Sequence, residues 1–137
     1  MNRFTKIGEE GLALLDDAEK WIIVLDNTTR LMWTVEETEG MSHKKALAAA
    51  TNLTTGGFAD WRLPTVEELL TLADRTRHAP AIDTAYFPRC ESDWYWTSTP
   101  AASPPRECAW YVAFSNGSTN WYPNSGEGFV RAVRASQ

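Results

Sequence analysis

The segment from Asn116 to Gly128 carries the residues best suited to contact a ligand. Trp121 and Tyr122 lie between Asn120 and Pro123-Asn124-Ser125-Gly126, with Asn116 at the turn before them. Rings flanked by amides suit stacking on a sugar. They suit equally the anchor positions of a protein interface. Side chains alternate along a strand, so only one of Trp121 and Tyr122 can face a core. At least one of them must then lie near the surface. Arg106, in the proline-rich stretch Pro100 to Glu107, completes the set of ligand-binding candidates: Trp121, Tyr122, Asn120, Asn124, Asn116 and Arg106.

Catalytic chemistry finds little to work with. His43 falls in the first turn of a helix and His78 in a loop, and neither has a Ser/Asp or Cys/Asp companion motif. Both are expected to be surface histidines. Ser98 sits in a strand without a nucleophile elbow. For calcium, Asn116, Asn120 and Asn124 are joined by a single acid, Glu127, which is a poor oxygen set. Glu36-Glu37-Glu39 reads as a solvated surface run. The expectation is a protein with no enzymatic activity, no metal and no cofactor. Arg62 is expected to pair with Glu67 or Glu68, or to pack on an indole, as Arg131 and Arg134 would beside their aromatic strands.

The whole chain has to position these groups. At 137 residues it reads as a single domain. Seven Trp among its aromatics imply a core of large rings. A net charge of −5 disfavours nucleic acid, and it weighs against sulfated polysaccharides. The acidic stretch before Lys20 is no secretory signal, and Trp21 to Leu25 is too short to span a bilayer. This reading places the protein in the cytoplasm or in a phage particle. Cys90 and Cys108 do not make a disulfide framework and are expected as free thiols in a reducing compartment.

Trp21 to Leu25 and Leu31 to Val35 read as a hairpin. Ser42 is placed to cap a helix running to about Leu53, with Ala46, Ala50 and Leu53 on one face and Leu47 beside them. Gly56 or Gly57 ends it. Thr65 with Glu68 forms a capping box for a second helix, whose inner face is Leu69, Leu72 and Ala73. Strands are expected at Trp94 to Thr99, Ala109 to Phe114, Ser118 to Tyr122 and Phe129 to Arg134. Asn116-Gly117 gives the strongest hairpin signal, and Pro100 to Glu107 is read as a loop.

The ordered series Val24-Leu25-Asp26-Asn27, Leu31-Met32-Trp33, Asp60-Trp61-Arg62-Leu63-Pro64-Thr65, Glu68-Leu69, Phe87-Pro88, Tyr95-Trp96-Thr97-Ser98-Thr99, Ala109-Trp110, Asn116-Gly117 and Val130-Arg131-Ala132-Val133-Arg134 resembles the C-terminal domain family of bacterial collagen-like adhesins. The resemblance implies an α+β, C-type-lectin-like fold with two helices flanking small antiparallel sheets. It assigns Trp33, Trp61, Trp96 and Trp110 to the core, and it implies binding of sulfated polysaccharides. This chain departs from the family at three points. Ala50 and Ala132 stand where the family commonly has a cysteine pair, and Thr29-Arg30-Leu31 replaces a usual glycine before the leucine. The departures favour an intracellular or phage-encoded protein-interaction factor. The alternative is a carbohydrate- or receptor-binding adhesin module. Either would act through loops 100–107 and 116–128, on a protein or glycan partner, without membrane insertion. Self-association is left open.

Overall fold

The computed structural model describes residues 2–36, 38–103 and 106–136, with the backbone alone at Ser103 and Arg106. Two antiparallel sheets form the frame. The first holds β1 (Phe4–Ile7), β2 (Ile23–Asp26), β3 (Leu31–Thr34) and β7 (Val133–Ala135), in that spatial order. The second holds β4 (Trp94–Ser103), β5 (Arg106–Ala113) and β6 (Ser118–Pro123). The helices α1 (His43–Thr51) and α2 (Val66–Leu70) lie between β3 and β4 in the chain. The α+β class and the two helices therefore agree with the sequence.

Strand alternation builds the core on both sides of each sheet. Val24 and Trp33 enter one buried cluster with Tyr95, Val112 and Phe114. Ile23 and Met32 enter a second with Trp61, Trp96 and Ala109. Tyr95 and Trp96 are both fully buried because β4 is covered on both faces. Ala50 and Ala132 are likewise fully buried, in the same second cluster.

The capping box of α2 is complete. Thr65 accepts from the Glu68 amide, and the Glu68 carboxylate accepts from the Thr65 amide at 2.9 Å. Thr99 extends the cap by accepting from the Val66 amide at 2.9 Å. Thr65→Ala is expected to cost about 1 kcal/mol, read as a lower urea midpoint at unchanged slope. Ser42 has the extended backbone of an N-cap, but its side chain makes no capping bond. The His43 amide instead donates to the Asn124 carbonyl, so a distant loop tethers this helix. Leu47 is exposed, because α1 packs through Ala46 and Ala50.

Several elements depart from the sequence reading. β1 was not expected: Lys6 interrupts its apolar pattern. The Lys6 ammonium is nonetheless buried, donating to the carbonyls of Asp16 and Ala18 and lying 4.0 Å from the Trp21 ring centroid. Of the expected loop Pro100 to Glu107, residues 100–103 and 106–107 are strand, and residues 104–105 lie outside the described residues. β4 and β5 pair in register there, from Pro100↔Ala109 to Ser103↔Arg106. Proline is accommodated at the irregularity between Trp96 and Pro100, where ladder hydrogen bonding is already interrupted. The expected strand Phe129 to Arg134 is not continuous either. Phe129 bridges Tyr95 of the second sheet, whereas only Val133–Ala135 joins the first, so the segment changes partners midway. Arg30 takes φ +64°, a conformation that glycine adopts at lower steric cost.

Paired acid groups tie the frame together. Asp26 is fully buried in a two-pronged pair with Arg3. Burial alone would raise its carboxyl, but Arg3 and the Thr28 amide bring it below the usual range. Hydrogen bonds from Arg62 likewise hold Glu68 below its usual value. Carboxyls lowered by folding add stability that is whole above about pH 4 and is lost as pH falls through the folded value. The urea midpoint should therefore drop on acidification below about pH 4, and drop less in Arg3→Met. An acid profile unchanged by that substitution would contradict the Asp26 assignment.

Candidate functional site

The two rings singled out from the sequence are both exposed, Trp121 at 45% and Tyr122 at 49%. β6 is an edge strand, paired only with β5, so alternation leaves one ring on each face without a covering layer. The two therefore do not form one patch. Trp121 pairs with Trp110, centroids 5.1 Å apart in an edge-to-face arrangement. Tyr122 packs on Trp94 at 5.5 Å, and Trp94 touches Tyr111 at 4.8 Å and the buried Trp96 at 4.9 Å. Trp110, expected in the core, is only half-buried. The α2 segment covers one side of it and leaves the rest to solvent.

The Trp110 face has relief. A groove of about 340 Å³ runs between α2 and the sheet, lined by Val66, Glu67, Leu70, Thr99, Trp110 and Thr119. The Tyr122 face is held by close approach instead. A Cβ on Gly126 would sit 2.4 Å from the Tyr122 ring, and one on Gly128 would sit 2.6 Å from the Trp94 ring. Glycine is required at both positions so that backbone can lie against the rings.

The amides play structural parts. Asn116 Oδ1 accepts from the Ser118 amide and shapes the hairpin turn. Asn120 Oδ1 accepts from the Trp121 amide at 2.8 Å. Asn124 links its backbone to Glu107 and His43, and its Oδ1 is buried without a hydrogen bond. Asn116 and Asn124 lie beyond opposite ends of β6, about 17 Å of strand apart, so one small ligand does not reach both. The Arg106 side chain lies outside the described residues. Along the outer edge of β6, Pro123 has no amide hydrogen and the Trp121 amide is already held. Addition of a foreign strand is thereby discouraged, which leaves recognition to the side chains.

The remaining candidates are accounted for structurally. His43 is not a surface residue. It is buried, its Nε2 is 2.8 Å from the Thr97 carbonyl, and its ring meets Trp96 edge-on. The partner is a backbone carbonyl, which a sequence motif does not reveal. His78 is exposed. Arg62 forms a two-pronged pair with Glu68, 2.8 Å at each contact. Arg134 pairs with Asp60 and lies over the Phe58 ring. Arg131 is fully buried above Phe87 and Tyr95. Cys90 and Cys108 are buried thiols that are not joined in a disulfide. Among the described residues, no helix is long and apolar enough to cross a membrane.

Trp94, Trp110 and Tyr111 were missed as site residues. Their signal was the alternation of Trp94-Tyr95-Trp96 and Trp110-Tyr111-Val112, which places rings on both faces of a sheet. Fold and site together define a two-sheet α+β domain that presents aromatic side chains from an edge hairpin. The chain belongs to the Lcl C-terminal domain family, whose pattern it matches over residues 22–134. That match begins after β1, which completes the edge of the first sheet. No curated protein matches the chain.

Proposed function

We propose that this domain is a non-enzymatic recognition module, C-type-lectin-like in architecture, that binds a protein partner through its β5–β6 hairpin. The observation that carries this reading is the pair of exposed rings, Trp121 and Tyr122, each backed by a further aromatic anchored in the frame. Large exposed rings on a rigid support are typical interface anchors, because little conformational freedom is lost on binding. The acidic balance of the chain and the alanines at the two family cysteine positions fit an intracellular or phage-encoded interaction factor.

Family membership supports a second reading, a carbohydrate- or receptor-binding module of a surface assembly. Sugar rings would stack on the same indoles. Affinity capture from host lysate distinguishes the two. One stoichiometric protein should be retained by the native chain, and Trp121→Ala/Tyr122→Ala should lose it by tenfold or more, about 1.4 kcal/mol. Capture undiminished in that variant would remove the hairpin from the interface. If nothing is captured and the chain binds a glycan array, the protein-partner reading falls.

A further inference from the structure

We infer that the groove between α2 and the β4–β6 sheet is a receptor for an arginine side chain presented by the partner. This deepens the proposed protein-recognition role and rests on it. The groove joins two chemistries that a guanidinium satisfies together. Trp110 forms an aromatic wall, and Trp121 adjoins it edge-to-face at 5.1 Å. Glu67 stands at the rim, exposed, with no hydrogen bond or ion pair among the described residues. Its neighbour Glu68 is occupied by Arg62. Glu67 is therefore the carboxylate of α2 that stays available to a partner.

Charge complementarity selects the ligand. Val66, Leu70, Thr99 and Thr119 bring no charge to the lining. The guanidinium groups nearby are committed: Arg62 to Glu68, and Arg75 to the Gly117 carbonyl at 2.8 Å. Among the described residues, an anionic group in the groove would meet Glu67 with no uncommitted cation in the lining to offset it. A cation gains from both the ring face and the carboxylate. Arginine fits better than lysine, because its planar group can stack on an indole while its edge forks onto a carboxylate. Thr119 adds a hydroxyl to the lining, while that of Thr99 already caps α2. At about 340 Å³ the groove sits at the small end of ligand clefts, roughly 300–1,000 Å³, which suits a single side chain.

The test is a two-dimensional NMR titration that follows the Trp110 and Trp121 indole N–H signals. The probes are N-acetyl-arginine amide and its citrulline, lysine and glutamate counterparts. Saturable shifts are expected with arginine in the millimolar range, weaker with lysine and absent with citrulline and glutamate. Glu67→Gln should weaken arginine binding by about tenfold, the loss expected for one charge-assisted hydrogen bond. Equal shifts with citrulline, or binding unaffected by Glu67→Gln, would overturn the inference. The captured partner separates this failure from that of the wider reading. If Trp121→Ala/Tyr122→Ala loses the partner but Glu67→Gln keeps it, the hairpin is the interface and the arginine assignment falls. If Glu67→Gln also loses it, and mutating one partner arginine reproduces the loss, the assignment holds.

Discussion

Trp96→Ala is expected to destabilise the domain by about 3–5 kcal/mol, the range for truncating a fully buried large ring. That is a large share of the 5–15 kcal/mol typical of a whole domain. Trp96 is 0% exposed and joins three parts of the structure. Its indole donates to the Met41 carbonyl at 2.8 Å, at the entrance to α1. Its ring meets His43 edge-on at 4.9 Å, and on the other side it supports Trp94 beneath Tyr122. Truncation leaves a cavity and an unsupported aromatic stack, and it removes one of the two donors to the Met41 carbonyl, the other being the Gly128 amide. Trp96→Phe keeps most of the packing and loses the N–H donor, so about 1–2 kcal/mol is expected. Urea unfolding followed by far-ultraviolet circular dichroism separates the two. A loss below 1 kcal/mol in Trp96→Ala would mean that the second cluster does not hold the sheets together.

Arg131→Ala is the other large expected loss, about 3 kcal/mol or more. Arg131 is fully buried, with its guanidinium 4.8 Å from the Phe87 centroid and 5.5 Å from that of Tyr95. Its Nη1 donates to the Thr34 carbonyl, at the end of β3. Truncation opens a void against two rings and removes that carbonyl's charged donor, and the two costs add. Arg131→Met fills much of the void without restoring the donor. It should recover between one- and two-thirds of the loss, the share that filling the void restores. Equal losses in the two variants would place the whole effect in the polar interactions of the guanidinium rather than in packing.

Local sequence made several elements legible. Thr65 and Glu68 announced their capping box because both halves of that motif lie within one turn. Asn116-Gly117 announced its hairpin because Gly117, at φ +82°, supplies the left-handed turn position at little cost. The exposure of at least one of Trp121 and Tyr122 followed from the period of two along a strand.

Other features were decided by contacts that no local pattern carries. Lys6 sits in a strand because carbonyls and an indole from later residues receive its charge. Pro100 remains in β4 because the ladder is irregular beside it. His43 is buried because Thr97, far along the chain, offers a carbonyl.

The sequence by itself determined which residues prefer helix, strand and turn, and that large rings would form the core. Those preferences act over a few neighbouring residues. Only the tertiary structure decided that β6 is an edge strand and that its rings face opposite ways. It also decided that α2 leaves a groove beside Trp110, with Glu67 free at its rim. Exposure is set by which distant segment covers a face, and that depends on packing between sheets rather than on the strand's own residues.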